Sequence, residues 1–254
     1  LLEKLRNQSS KPYNILWHGG EPLLMGIDFY KQVLKIEKEV GGVFVNSIQT
    51  NGLLLDKNEI DFLIRHNFKI GISLDGPKDI HNANRTCRKG TGTFDKIWEN
   101  IIKLRSHPLY NKLGIIAVFT KNAAKNISTF YEFFKDNRLN FQLNNLLPIQ
   151  NMKDKIAPSI MEFEKGMIEL FDIWIEDKED PIMIYPFSDI VEAMLGGRTN
   201  TCIFSGHCYD NFLCMDPDGF LIPCGKWPRE EYLFGHISTG DISTYYSSPS
   251  FFRY

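Results

Sequence analysis

Apolar residues recur along this chain in two alternating rhythms. Compact apolar runs at Tyr13–Trp17, Val43–Ile48, Lys69–Leu74, Gly114–Phe119 and Asn140–Leu147 predict strands. Between them, apolar positions three and four residues apart predict helices over Asp28–Val40, Lys57–His66, Thr93–Ser106 and Ile127–Asn137. Strands that alternate with helices imply a parallel sheet, because a parallel pair needs a crossover and a helix supplies it. Periodicity alone does not choose between a barrel and an open sheet. Polar residues at the predicted helix starts agree with these bounds: Thr93 is placed to accept from backbone donors of its helix, and Asn126 or Ser128 from those of the next. Ahead of the first strand, Leu1–Gln8 reads as the last turns of a helix, with Leu1, Leu2 and Leu5 on one face and Ser9, Ser10 and Pro12 as breakers.

A further helix is predicted over Ile160–Ile175, whose Phe163, Met167, Leu170, Phe171 and Trp174 form a stripe suited to core packing. The acidic stretch Glu176–Asp180, closed by Pro181, reads as a surface linker, after which Gly, Cys and aromatic residues dominate. Two modules are therefore expected, residues 1–180 as an α/β domain and residues 181–254 as a smaller Cys-rich region. The near balance of 29 Lys and Arg against 31 Asp and Glu gives no global field toward nucleic acid or anionic lipid. No apolar run approaches the roughly 18 to 20 residues that span a bilayer, and Leu1–Arg6 has no apolar signal core, so the expectation is a cytoplasmic protein with neither a nucleic-acid nor a membrane partner.

The polar and glycine residues fall at the ends of the predicted strands. His18-Gly19-Gly20-Glu21-Pro22, Gln49-Thr50-Asn51-Gly52 and Ser73-Leu74-Asp75-Gly76-Pro77 each sit at or just past a strand's C-terminal end, the ligand-binding edge of parallel α/β folds. Read singly, the Gly pairs are turns, Asn51-Gly52 is a left-handed corner and Ser73 caps nearby backbone. Taken together they describe a site. Paired glycines let backbone approach a ligand, and Glu21 beyond them is suited to accept from an ammonium group.

Trp17-His18-Gly19-Gly20-Glu21-Pro22-Leu23-Leu24, Ser47-Ile48-Gln49-Thr50-Asn51-Gly52 and Gly71-Ile72-Ser73-Leu74-Asp75-Gly76-Pro77 resemble, in this order, strands two to four of the radical S-adenosylmethionine superfamily. Ile80-His81-Asn82 to Arg85, followed by Gly92-Thr93-Phe94-Asp95, resembles the subgroup of anaerobic sulfatase-maturating enzymes and peptide maturases. The resemblance implies a partial (β/α)6 TIM-like barrel lacking its first strand. It also implies S-adenosylmethionine as cofactor, with Gly19, Gly20, Glu21 and Pro22 at its amino group and Gln49 on the same rim. Ser73 and Asp75 then face its ribose and carboxylate region, Arg85 its carboxylate, and Leu146 its adenine.

In that family a Cx3Cx2C loop holds the [4Fe–4S] cluster that cleaves the cofactor. No three cysteines here have that spacing. The sequence is accordingly expected to start after the first strand, to be inactive on its own, and to end inside a domain at Tyr245–Pro249.

Cysteines instead crowd the C-terminal region. Ten residues separate Cys208 from Gly219 and four separate Gly219 from Cys224, which resembles the Cx9-15Gx4C signature of the SPASM auxiliary-cluster region, with five residues between Cys202 and Cys208. Asp216-Pro217-Asp218-Gly219 predicts a turn joining Phe212–Met215 to Phe220–Ile222, which brings Cys224 back toward Cys208. Cys202, Cys208 and Cys224 are thus candidate ligands of at least one auxiliary [4Fe–4S] cluster. On spacing alone, a zinc knuckle that draws on Cys202, Cys208, Cys214, Cys224 or His207 stays open. Cys214 reads as a free thiol. The implied function is an oxidoreductase that generates a 5′-deoxyadenosyl radical to abstract hydrogen from a peptide or protein, supplied with electrons by a donor such as flavodoxin or ferredoxin. Where sulfatase-maturating enzymes carry an Asp base after the third cysteine, this chain has Gly225. Sulfatase maturation therefore ranks below maturation of another ribosomal peptide, and a zinc-stabilised binding module is the alternative of another class.

Overall fold

The computed structural model describes residues 12–110, 113–146, 156–197, 212–225 and 232–240. Six strands lie side by side in chain order: β1 Tyr13–Trp17, β2 Phe44–Thr50, β3 Lys69–Ser73, β4 Leu113–Phe119, β5 Phe141–Asn145 and β6 Ile184–Tyr185. The pairings from β2 to β6 are parallel, with Gln49 opposite Gly71, Gly71 opposite Gly114, Ile116 opposite Gln142 and Gln142 opposite Tyr185. Helices α1 Gly26–Val40, α2 Lys57–Arg65, α3 Lys78–Asn82, α4 Phe94–Arg105, α5 Lys121–Lys125, α6 Ile127–Asp136, α7 Ile160–Glu176 and α8 Phe187–Met194 fall between or after the strands. This is the connectivity of a partial (β/α)6 barrel.

Two compact units divide the chain, one of Leu16–Ile27 and Asn46–Gly197, and one that takes residues 12–15, 28–45, 212–225 and 232–240 among those described. In the first, the core forms where alternate strand residues meet the apolar stripes of the helices. Ile70, Ile72, Ile115, Ala117, Phe119, Phe141 and Leu143 are buried from the sheet. Ile60, Leu63, Ile97, Ile101, Leu104, Phe130 and Phe134 are buried from the helices at the three- and four-residue spacing that an α-helix requires. Phe134 stacks on Phe141 with ring centroids 4.2 Å apart, so the β5 face and α6 interlock directly. The opposite strand positions, Gln49, Gly71, Ser73, Gly114 and Asn144 among them, are only half-buried or exposed and leave a polar face.

Three expectations change. The predicted boundary at residue 180 moves, because Ile184–Tyr185 pairs with Phe141–Gln142 as a sixth strand and the sheet-bearing unit runs to Gly197. The stripe on α7 is mostly half-buried: Leu170 is enclosed, Phe163 meets Phe119 edge-on, and Phe171 and Trp174 lie against Phe187 of α8, an element that went unpredicted. Asp177, expected in a surface linker, accepts from the Tyr131 hydroxyl at 2.6 Å and pairs with Lys135 at 2.7 Å, tying α6 to the end of α7.

In the other unit, β7 Cys214–Met215 and β8 Phe220–Ile222 form the predicted hairpin around Asp216–Gly219, and β9 Gly235–His236 adds a third antiparallel strand. Asp216 Oδ1 accepts from the Asp218 and Phe220 amides at 3.0 and 2.9 Å, which explains the tight turn.

Candidate functional site

The three predicted rim segments do share one edge of the sheet. Gly19 and Gly20 adopt φ of +78° and +44°, a left-handed conformation that costs a residue with a Cβ about 1 kcal/mol or more. Among the described residues nothing lies within 4 Å of where a Cβ would project at either position, so backbone curvature and not crowding calls for glycine there. The loop is open to an approaching ligand.

Glu21 follows at the start of a 3₁₀ turn, Pro22–Met25, in which Pro22 is buried. Its carboxylate accepts from the Leu23 amide at 3.1 Å, the Thr50 hydroxyl at 2.6 Å and the Asn51 amide at 2.8 Å. The side chain expected to meet a ligand ammonium thus ties the β1 end to the β2 end. Sequence reading missed Thr50 and Asn51 as its partners, although both stood inside a quoted motif. Asn100 of α4, buried, donates to the Gly52 carbonyl at 2.8 Å and supports the same corner from behind.

Gln49 and Ser73 are neighbours, with the Gln49 carboxamide donating to the Ser73 hydroxyl at 3.3 Å. Gly71 makes that possible, because a Cβ there would sit 2.1 Å from Gln49 Oε1. On this face a cavity of about 340 Å³ is lined by the polar Gln49, Asn140, Gln142 and Tyr185 and by Gly114 with the apolar Leu113, Ile115, Ile116 and Phe141. Leu146, just past β5, is half-buried.

Asp75 is 3% exposed, and both its oxygens are engaged: Oδ1 accepts from the Val118 amide at 2.9 Å and from Arg85 Nη2 at 3.1 Å, and Oδ2 accepts from Arg85 Nε. The two residues assigned separately to one ligand thus form a bidentate pair with each other. Two residues without an assigned role complete the arrangement. The Asp75 amide donates to His81 Nδ1 at 3.2 Å, and His81 Nε2 lies 3.1 Å from Thr93 Oγ1. Thr93 Oγ1 donates to the Arg85 carbonyl at 3.0 Å. Burial pushes the His81 pKa down to about 4, with Asp75 opposing the shift and Arg85 adding to it. The expectation that Thr93 caps α4 is corrected: its side chain makes no cap bond, and Asn82 Oδ1 accepts from the Phe94 amide at 3.0 Å instead. Asn126 likewise makes no side-chain cap bond, and Ser128 lies within α6.

Of the candidate metal ligands, Cys202 and Cys208 lie outside the described residues. Cys224 is half-buried, two residues past β8. Burial raises the pKa of Cys214, with Cys224 and Asp216 adding to the shift, and the Cys214 thiol lies 3.7 Å from where a Cβ on Gly225 would be. Among the described residues no group of three His, Cys, Asp or Glu side chains is positioned for a metal ion.

Residues 1–134 match the model of the Radical SAM superfamily. The chain is 31% identical over 257 residues to the cysteine-type anaerobic sulfatase-maturating enzyme of Clostridium novyi, across 98% of this chain and 68% of that protein. It is 25% identical to the serine-type anaerobic sulfatase-maturating enzyme of Bacteroides thetaiotaomicron, across 92% of this chain and 61% of that protein. The chain thus spans about two thirds of the length of these curated relatives. Among solved structures, native anSMEcpe with bound AdoMet superposes with a TM-score of 0.90 at 25% identity, covering 99% of this chain and 71% of that one. The same protein with bound AdoMet and Kp18Cys peptide superposes at 0.86.

Proposed function

This chain belongs to the radical SAM superfamily, and from that we propose that it forms the S-adenosylmethionine-binding part of an iron–sulfur enzyme that modifies a peptide or protein. The observation that carries the proposal is the rim itself. An open glycine backbone at Gly19–Gly20 is fixed by Glu21 to the Thr50–Asn51 corner, and the Arg85 guanidinium, past α3 and with donors to spare, is paired to Asp75 just beyond β3. Backbone groups suit the polar atoms of a methionyl moiety, and Arg85 suits its carboxylate. These residues fit the cofactor. Bound with its cluster, S-adenosylmethionine supplies a 5′-deoxyadenosyl radical, and the chain's own task is to orient the cofactor and keep water away.

A peptide substrate is supported by the cavity on the polar face of the sheet. Gln49 and Gln142 give their amide nitrogens to Ser73 and Asn144, and Asn140 Oδ1 takes the Met183 amide, which leaves the Gln49 and Gln142 carbonyl oxygens as acceptors for peptide N–H groups. The anSMEcpe structures with bound peptides support the same reading. In the Cys-rich region, Cys202, Cys208 and Cys224 are proposed to hold an auxiliary [4Fe–4S] cluster, and a flavodoxin or ferredoxin to supply electrons.

Sulfatase maturation is the second reading, favoured by the names of the relatives. Gly225 speaks against it, since it offers no carboxylate where that chemistry would place its base. Incubation of the intact protein, purified anaerobically, with reductant, S-adenosylmethionine and a sulfatase-derived Cys or Ser peptide separates the readings. Release of 5′-deoxyadenosine without formylglycine is expected. Formylglycine detected by mass spectrometry reverses the ranking, and failure to bind S-adenosylmethionine removes both.

A further inference from the structure

Four residues from three segments close a ring of hydrogen bonds around Arg85. The Asp75 amide donates to His81 Nδ1, His81 Nε2 meets Thr93 Oγ1, Thr93 Oγ1 and the Thr93 amide both donate to the Arg85 carbonyl, and the Arg85 guanidinium returns to the Asp75 carboxylate. Each proton in it has one direction. Thr93 has a single hydroxyl hydrogen and gives it to the Arg85 carbonyl at 3.0 Å, so the Thr93 oxygen receives from His81 Nε2–H. His81 Nδ1 receives from the Asp75 amide and carries no proton, so the imidazole is neutral and its tautomer is set.

The ring pins Arg85 at both ends. Its carbonyl is held by two donors from Thr93, at 3.0 and 3.2 Å. Its guanidinium is held through Nε and one N–H of Nη2 by Asp75, whose own position is fixed by the Val118 amide. A guanidinium has five N–H donors, so three remain, and no described residue takes them. The Arg85 side chain keeps 27% of its surface exposed while that of Asp75 keeps 4%. A long side chain held this way has already lost the rotamer freedom that binding an anion would otherwise cost. A space-filling role would leave the ring nitrogens of His81 unused, whereas both are engaged.

We infer that His81 and Thr93 are positioning residues that hold the Arg85 guanidinium ready for the carboxylate of S-adenosylmethionine, an inference that rests on the cofactor reading above. Dissociation constants for S-adenosylmethionine and for its decarboxylated analogue, measured on the intact anaerobically reconstituted protein, test it. His81→Leu and Thr93→Val are expected to cut the preference for the carboxylated ligand about tenfold while moving the analogue's constant less than about twofold. Thr93→Ser keeps the hydroxyl and is expected to keep the preference. Equal weakening of both ligands, with the preference intact, overturns the inference. Should His81→Leu not fold, the Val and Ser variants at position 93 decide, since Val nearly matches Thr in shape. Arg85→Ala separates the two levels. Preference unchanged in that variant removes the carboxylate reading of Arg85 and the ring with it, whereas preference lost there but kept in His81→Leu and Thr93→Val removes the positioning role alone.

Discussion

Glu21 receives the Thr50 hydroxyl at 2.6 Å across neighbouring strand ends, twenty-nine residues apart in sequence. With the Asn51 amide on its other oxygen, the carboxylate holds the glycine loop in place from below.

Glu21→Ala therefore leaves the Thr50 hydroxyl and the Asn51 and Leu23 amides without their acceptor. A loss of about 1–3 kcal/mol in unfolding free energy is expected in denaturant titration. S-adenosylmethionine affinity should fall with it, by about tenfold. Affinity lost at unchanged stability would mean that Glu21 meets the cofactor directly.

Two glycines on β3 and its end should respond differently. At Gly76, with φ of +116° and a Cβ that would sit 3.0 Å from the buried Phe130 ring, Ala is expected to cost about 1–3 kcal/mol. At Gly71 the obstacle is the movable end of Gln49, so Ala should cost about 1 kcal/mol or less while displacing Gln49 from Ser73. Calorimetric melting of the two variants checks the order.

Burial of His81 implies an acid-sensitive fold. The unfolded chain takes up a proton near the ordinary imidazole pKa of 6.5, whereas the folded residue resists it until about pH 4. Its contribution is full above pH 6.5 and is lost progressively as pH falls toward 4, a span of about 3 kcal/mol. Urea unfolding of wild type between pH 6.5 and 5 should show that decline, and His81→Leu should flatten it. Parallel slopes in the two proteins would contradict it.

Asp177 should matter more than its place in an acidic stretch suggests. Asp177→Ala removes the acceptor shared by Tyr131 and Lys135 and is expected to lower stability by about 1–2 kcal/mol, with the neighbouring Glu179→Ala near neutral as the control.

Cys208→Ala and Cys224→Ala in the intact protein should lower iron content by removing a thiolate ligand, while Cys214→Ala should leave it nearly unchanged. Equal loss in all three variants would make Cys214 a ligand, and zinc in place of iron would favour the knuckle.

Much of this protein is legible in one dimension because much of it is local. Helices such as Phe94–Arg105 and strands such as Leu113–Phe119 bury residues at periods that the chain already displays. The rim motifs are legible for a related reason: each is a short segment bounded by a strand end. The sixth strand escaped because two residues, Ile184–Tyr185, are too few to carry a period. Partner choice escaped too, since a polar side chain bonds whatever the fold brings within about 3 Å, and sequence order does not reveal that. Thr93 looked like a cap, yet Asn82 does the capping and Thr93 turns to Arg85. Glu21 and Asp75 were identified by type and position from the sequence. Only the parallel sheet, which brings strand ends dozens of residues apart to one edge, decided that Thr50 and Val118 would be their partners, and only the fold of the segment through α3 turned Arg85 back onto Asp75.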